Sequence, residues 1–186
     1  MRSLLVLAAL PLLTTFAPFA LYEEPLVPPV ASIRFEPVLL DERAPDRRRV
    51  GDLIFLGGWA IESNDPRFGG ISAMLVEGDT VTALSDAGSL IRFTLPGRRP
   101  PRLTIRPLPE GPGSAKSKFD RDTEAMTVHR EHAWIGFEGR NAVWRYQRGD
   151  WRSDAASAPP AMEDWPGNSG AEAMVRLDDG TFLVFS

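Results

Sequence analysis

Cysteine is absent from the 186-residue chain, and histidine occurs only at His129 and His132. The first absence removes disulfides, thiolate zinc sites, iron–sulfur clusters and cysteine nucleophiles. The second leaves too few imidazoles for histidine-rich metal catalysis, and as residues flanking a tight turn the pair reads most simply as surface side chains. Lysine is nearly absent too, with Lys116 and Lys118 the only two against 21 Lys+Arg in all. A net charge of -4 leaves no basic surface for sequence-independent nucleic-acid binding. No Gly-x-Ser-x-Gly elbow, P-loop or dinucleotide fingerprint occurs, and Ser169 in Gly167-Asn-Ser-Gly170 resembles the elbow only superficially. Beyond the N-terminus no window of ten or more residues shows a 3.6-residue apolar period, so long amphipathic helices are not expected.

What is present begins with Met1-Arg2-Ser3 and an apolar run from Leu4 to Phe16. One positive charge before a short apolar core is the pattern of a secretory signal, and the run is too short for a comfortable membrane span of about 20 residues. The expectation is a signal peptide over residues 1–20, cleaved after Ala20, and an exported, periplasmic or secreted protein. An uncleaved N-terminal anchor is the alternative, because Pro18 stands where a small residue is usual. Residues 21–32 form a proline-rich lead-in, and 33–186 form the domain. Pro96–Pro101 and Arg148–Ser169 read as loops.

Between the loops, short β-rich runs alternate with turn signals: Ser32–Pro37, Leu53–Glu62, Ile71–Val76, Thr80–Ser85, Ser89–Leu95, Leu103–Leu108, Glu124–His129, Ala133–Glu138, Ala142–Gln147, Ala171–Leu177 and Thr181–Ser186. The fold class is therefore all-β. The runs also repeat. Ala-Met pairs fall at 73–74, 125–126 and 173–174, spaced 52 and 48 residues apart, each followed by a tight turn and a second strand. A period near 40–50 residues with about four strands per unit is that of a propeller blade, the alternative being a β-sandwich with look-alike strands. A ring needs about 4–8 such blades. About three can be drawn here, the third ending after its second strand, so the expectation is an incomplete propeller whose C-terminal blades would lie beyond Ser186.

The stretches Leu53–Glu62, Asp65–Ser72 and Val81–Asp86 resemble the phytase-like domain family, also called the esterase-like activity of phytase family. Asp122-Thr-Glu-Ala-Met126 is similar to its recurring Asp-x-Glu-Gly/Ala pattern, and Gly170-Ala-Glu-Ala-Met174 to the next copy. The first copy departs from the pattern, with Ser72 where the others carry Glu124 and Glu172. The resemblance, over about residues 33–186, implies an exported β-propeller similar to the calcium-dependent phytases and a hydrolase acting on ester bonds.

Glu124 and Glu172 occupy equivalent repeat positions at the start of a strand expected to line a central channel. Carboxylates gathered there repel one another unless a hard cation neutralises them, and Ca²⁺ takes several oxygen ligands at once. Asp86 and Glu138, at matching ends of the second strands, and Asp122, beside Glu124, complete the candidate metal set. The plainer reading is that these groups cap turns and bond backbone amides. Lys116, Lys118 and Arg121 precede the acidic pattern in a Gly/Ser-rich loop and are candidates to bind a phosphate monoester beside the cation. An ordinary solvated loop is the alternative. The five tryptophans read as packing residues. Two functions are left open: a calcium-assisted phosphoester hydrolase acting on a small phosphate ester, and a non-catalytic periplasmic propeller that binds a ligand or partner.

Overall fold

The computed structural model describes residues 27–28, 30–97 and 100–186. The expected signal segment and most of the proline-rich lead-in lie outside these residues. The chain is all-β, as its alternation of short β-branched runs with turns dictates. In order the strands are β1 (Ile33–Pro37), β2 (Arg49–Val50), β3 (Leu53–Ile54), β4 (Trp59–Ser63), β5 (Ile71–Glu77), β6 (Thr80–Ser85), β7 (Ser89–Thr94) and β8 (Leu103–Pro107). They continue as β9 (Thr123–His129), β10 (His132–Phe137), β11 (Ala142–Gln147), β12 (Ser153–Ser157), β13 (Ala173–Arg176) and β14 (Phe182–Phe185). Among the described residues one short α-helix, α1 (Lys118–Arg121), precedes β9.

All sheets are antiparallel, and all but the β1–β4 pair join strands that follow one another in sequence. β5 to β8 form one four-stranded meander and β9 to β12 a second, while β1 with β4, β2 with β3, and β13 with β14 form two-stranded pairs. No sheet closes on itself. The turns follow from local chemistry. Gly78, at φ +62°, closes β5 onto β6, and Asn141, at φ +45°, ends the 3-10 turn Glu138–Arg140 that leads into β11.

Two expectations required correction. Leu53–Glu62 is interrupted: it holds β3 and β4, separated by the Gly57-Gly58 stretch. Arg148–Ser169 is not all loop, for it contains β12, whose Ser-Asp-Ala-Ala-Ser sequence has little β-propensity of its own. β12 exists because the open edge of β11 offers it a ladder, with Val143 opposite Ser157 and Arg145 opposite Ala155.

The core lies between the sheets. Leu84, Leu90 and Leu108 of the first meander pack on Ala133, Ile135, Phe137, Tyr146 and Trp151 of the second. On its other face the first meander presents Val81, Ala83, Ile91 and Phe93 to Ile33, Phe35 and Ile61 of the β1–β4 pair. The two faces of β6 are thus both buried, which is why this strand reads as a continuous buried run. Trp144 and Trp151 pack in the core between the meanders, but Trp59 is 46% exposed, so the expectation that all five tryptophans are packing residues holds only in part. The first strands of successive sheets lie side by side: β5 beside β9, and β9 beside β13. That order places the starts of β5, β9 and β13 around one region.

Candidate functional site

The loop that delivers β9 is held from within. Ser117 caps α1 by accepting from the Asp120 amide at 3.2 Å. The Asp120 carboxylate accepts from the Ser114 amide at 2.8 Å and from Arg140 Nε at 2.6 Å. These bonds hold its carboxyl below the ordinary carboxylate range, the Ser114 amide contributing most. Gly113, at φ +55°, leaves room for that carboxylate where a Cβ would meet it at 2.3 Å. The loop therefore presents Asp122 and Glu124 in a fixed place.

The strand starts are joined by a repeated hydrogen bond. The Asp86 amide donates to Gly70 O at 2.8 Å, and the Glu138 amide donates to Asp122 O at 2.9 Å. Asp86 and Glu138 thus occupy structurally equivalent places at the ends of β6 and β10. Thr123 Oγ1 donates to Ser85 O at 2.7 Å, and Ser72 Oγ donates to Thr123 O, which ties the first meander to the second. Ser72, where the acidic pattern is broken, is a positioning hydroxyl rather than a carboxylate.

Carboxylate oxygens of Asp122, Glu124 and Glu138 come within 4.8 Å of one another, all three side chains half-buried. Burial pushes the Glu124 carboxyl up to about 7, helped by its contact with Asp122 and by the charges of Asp122, Glu172 and Glu138. Burial likewise raises Glu138, together with the charges of Glu172 and Asp122. Glu172 is exposed at the start of β13 and lies near enough to Glu138 to bond its protonated form. Three of the five carboxylates singled out by the repeat therefore converge directly, with Glu172 near enough for its charge to be felt. Asp86 joins through Lys118, whose Nζ lies 3.4 Å from Asp86 Oδ2 and 3.3 Å from Asp122 Oδ2.

The basic residues are placed differently from one another. Lys118 spans two carboxylates, and although burial opposes its charge, Asp122 and Asp86 outweigh this and raise its pKa. Lys116 is exposed on the loop. Arg121 is buried, with Nη1 against Gly111 and with Phe137 close by, and its Nε has no hydrogen-bond partner among the described residues. His132 is occupied at the outer end of the second meander by Gln147, at 3.1 Å, and by Asp154, at 3.4 Å. Arg145 pairs with Asp154 within the same sheet. Sequence reasoning missed the bracing by Asp120, Arg140 and Ser117. A Ser-x-x-Asp pattern before an acidic strand start was the available signal.

An all-β frame that gathers carboxylates from the ends of successive sheets is suited to hold a hard cation, since oxygen donors alone are offered. The chain belongs to the phytase-like family, described as esterase-like activity of phytase, whose model matches residues 66–186. The match opens just after β4 and takes in both meanders and the β13–β14 pair. No curated protein and no solved structure matches the chain. The family description points to a phosphoesterase-like hydrolase class. The acidic group is chemically able to bind a metal ion. Among the described residues no helix is long and apolar enough to cross a membrane.

Proposed function

We propose that the protein is an exported phosphoester hydrolase on a β-propeller frame, in which Ca²⁺ assists the attack of water on a small phosphate ester. The observation that carries this reading is the convergence of Asp122, Glu124 and Glu138 within 4.8 Å. The donor set fits calcium: it is all carboxylate, it gathers at the adjoining ends of β9 and β10, and it contains no sulfur or imidazole. Burial, with neighbouring carboxylates, raises the pKa of two of the carboxyls, Glu124 and Glu138. Such a group releases protons when a cation binds, so affinity rises with pH.

When bound, calcium would neutralise the carboxylates, offer sites to phosphate oxygens and water, and lower the pKa of that water. The chain's own residues do the rest. Asp122, Glu124 and Glu138 would hold the ion, with Glu172 at the exposed edge and Asp86 behind Lys118. Lys118, beside Asp122 and Asp86, would be the cation available to a phosphate bound there. Lys116 lies on the same loop, and Arg121 supports it from beneath. The propeller frame is supported by the repeated four-stranded meanders and by the side-by-side placement of their first strands.

The test is hydrolysis of a chromogenic phosphate monoester by the full chain, with calcium and after chelation. Calcium-dependent release of phosphate that disappears in Glu124→Gln is the expected result. Activity indifferent to chelation would remove the metal from the mechanism. The second reading, a non-catalytic propeller that binds a ligand or partner, is favoured by one observation: Lys118 is engaged by carboxylates and Arg121 is buried, leaving only Lys116 free in the loop. Calcium binding without hydrolysis of phosphate or carboxylate esters would decide for it.

A further inference from the structure

The connection into β5 and the turn after β6 enclose a pocket beside the acidic cluster. Its cavity of about 350 Å³ is lined by Arg67, Phe68 and Gly70 on one side and by Asp86, Ala87 and Ser89 on the other. Both walls are fixed. The Phe68 amide donates to Asp65 O at 3.0 Å, and the Phe68 ring meets Phe93 edge-on with centroids 6.2 Å apart. Opposite, the Ser85 hydroxyl accepts from the Ala87 amide at 3.3 Å and from the Ser89 amide at 3.1 Å. The Asp86 amide ties the walls together by donating to Gly70 O at 2.8 Å. Gly70, at φ +53°, leaves the space that the Asp86 carboxylate occupies, since a Cβ there would collide with Oδ1.

The charged groups of this pocket are already matched. Arg67 donates to Asp65 through Nε at 3.0 Å and through Nη2 at 2.7 Å, and Asp65 is 1% exposed. That clamp fixes the guanidinium and leaves Nη1 without a hydrogen-bond partner among the described residues. Asp86 has the Lys118 ammonium 3.4 Å from its Oδ2. The pocket therefore offers a donor at Arg67 and an acceptor at Asp86, beside the apolar surfaces of Phe68 and Ala87, with no cation left uncompensated for an anion. A donor and an acceptor next to an aromatic ring suit a neutral ring bearing hydroxyls, because each hydroxyl both donates and accepts. An anionic ring would meet the Asp86 carboxylate, and like charges set face to face are costly. Lys118 also reaches Asp122 at 3.3 Å, so the pocket adjoins the cluster directly.

We propose that this pocket receives the alcohol half of the ester and that the substrate is the monophosphate of a sugar. This rests on the hydrolase reading, which puts the phosphate at the acidic cluster. The sugar ring then lies beside Asp86. Arg67 Nη1 donates to one hydroxyl, an Asp86 oxygen accepts from another, and the Phe68 ring backs the apolar face of the sugar. Arg67 and Phe68 become specificity-determining residues, and Asp65 a positioning residue that acts through Arg67. An ester without hydroxyls leaves both polar groups unpaired in the pocket, a loss that amounts to about tenfold in selectivity. A second phosphate on the ring is rejected by Asp86 rather than welcomed by Arg67, whose charge is spent on Asp65.

The test compares phosphate release by the full chain, with calcium, from glucose 6-phosphate, glucose 1,6-bisphosphate and phenyl phosphate. The expected kcat/KM for glucose 6-phosphate exceeds that for each of the other two by about tenfold. Ala87→Leu, at an exposed turn position, should fill the pocket and abolish this preference with circular dichroism and melting temperature unchanged. Free glucose supplies a measurement independent of turnover. In chelator, saturation-transfer NMR should show it bound to the wild-type chain and not to Ala87→Leu. Glucose bound by both proteins or by neither would overturn the pocket, as would a preference for the bisphosphate. Hydrolysis of all three esters at equal efficiency would leave the proposed function standing while the pocket falls. Glucose bound by the wild type alone, with no ester hydrolysed, would keep the sugar site and remove the hydrolase.

Discussion

Replacing Glu124 by Gln should stabilise the metal-free protein at alkaline pH. Glu124 is half-buried among Asp122, Glu138 and Glu172, and its carboxyl is raised from an ordinary 4.5 to about 7. A carboxyl raised on folding binds a proton in the native state that the unfolded chain has already released. Stability therefore falls as pH rises from 4.5 to about 7, and the loss is complete above that window. The penalty is that of ionising a half-buried group beside like charges. Because the site is partly open to solvent, we take it as about 1–2 kcal/mol after screening, well below the full value of the shift. For a chain of this size that corresponds to about 3–6 °C in melting temperature.

The assay is a set of thermal melts in chelator at pH 5 and pH 8, for wild type and Glu124→Gln. At pH 5 both forms carry a neutral side chain at this position and should melt alike. At pH 8 the variant should melt higher. Glu138 is raised in the same direction, so some pH dependence persists in the variant, and the difference between the two proteins isolates Glu124. Adding calcium should reverse the order at pH 8, because a ligand that binds only the native state stabilises it and the variant lacks one carboxylate. A variant less stable than wild type at pH 8 in chelator would refute the reasoning. It would mean that the Glu124 carboxylate is held by favourable bonds rather than strained by its neighbours.

Other consequences concern the frame that holds the cluster. A Cβ at Gly136 would fall 2.7 Å from Ala171 Cβ and 3.3 Å from Ala125 Cβ, so Gly136→Ala should cost about 1–3 kcal/mol in denaturant unfolding by forcing the second meander from β13; an unchanged midpoint would show looser packing there. Gly170→Ala would bring Cβ within 2.5 Å of Glu138 Cα, and it should weaken calcium binding measured by calorimetry along with stability, whereas unaltered affinity would separate the cluster from this contact. Asp65 is 1% exposed and is gripped by Arg67, which lowers its pKa from the ordinary 3.8. That pairing stabilises the fold above pH 3.8 and is lost as the pH falls further and Asp65 protonates. Arg67→Ala should cost about 1–2 kcal/mol at pH 7 by urea unfolding, and no loss would mean that solvent replaces the guanidinium.

How far the sequence disclosed this site depends on what each residue's role requires. The repeat spacing was enough to align Glu124 with Glu172 and Asp86 with Glu138, because backbone periodicity alone fixes equivalent positions. The hydrogen bonds from the Asp86 and Glu138 amides to Gly70 and Asp122 show that equivalence in three dimensions. The basic residues were not legible in that way. Lys116, Lys118 and Arg121 share a loop in sequence, but α1 turns them in different directions. One ends between two carboxylates, one stays in solvent and one is buried beside Gly111 and Phe137. A helix of four residues is decided by a single cap at Ser117 and leaves no period to read.

The same contrast separates β6 from β12. The apolar and β-branched run in Thr80–Ser85 announces a strand buried on both faces. Ser153–Ser157 announces nothing and becomes a strand only because β11 leaves an edge to be paired. Side-chain surroundings are equally unreadable from a repeat: the Ala-Met pairs that open β5, β9 and β13 look alike in sequence, yet Met126 packs on the core, Met174 is 8% exposed and Met74 is 64% exposed.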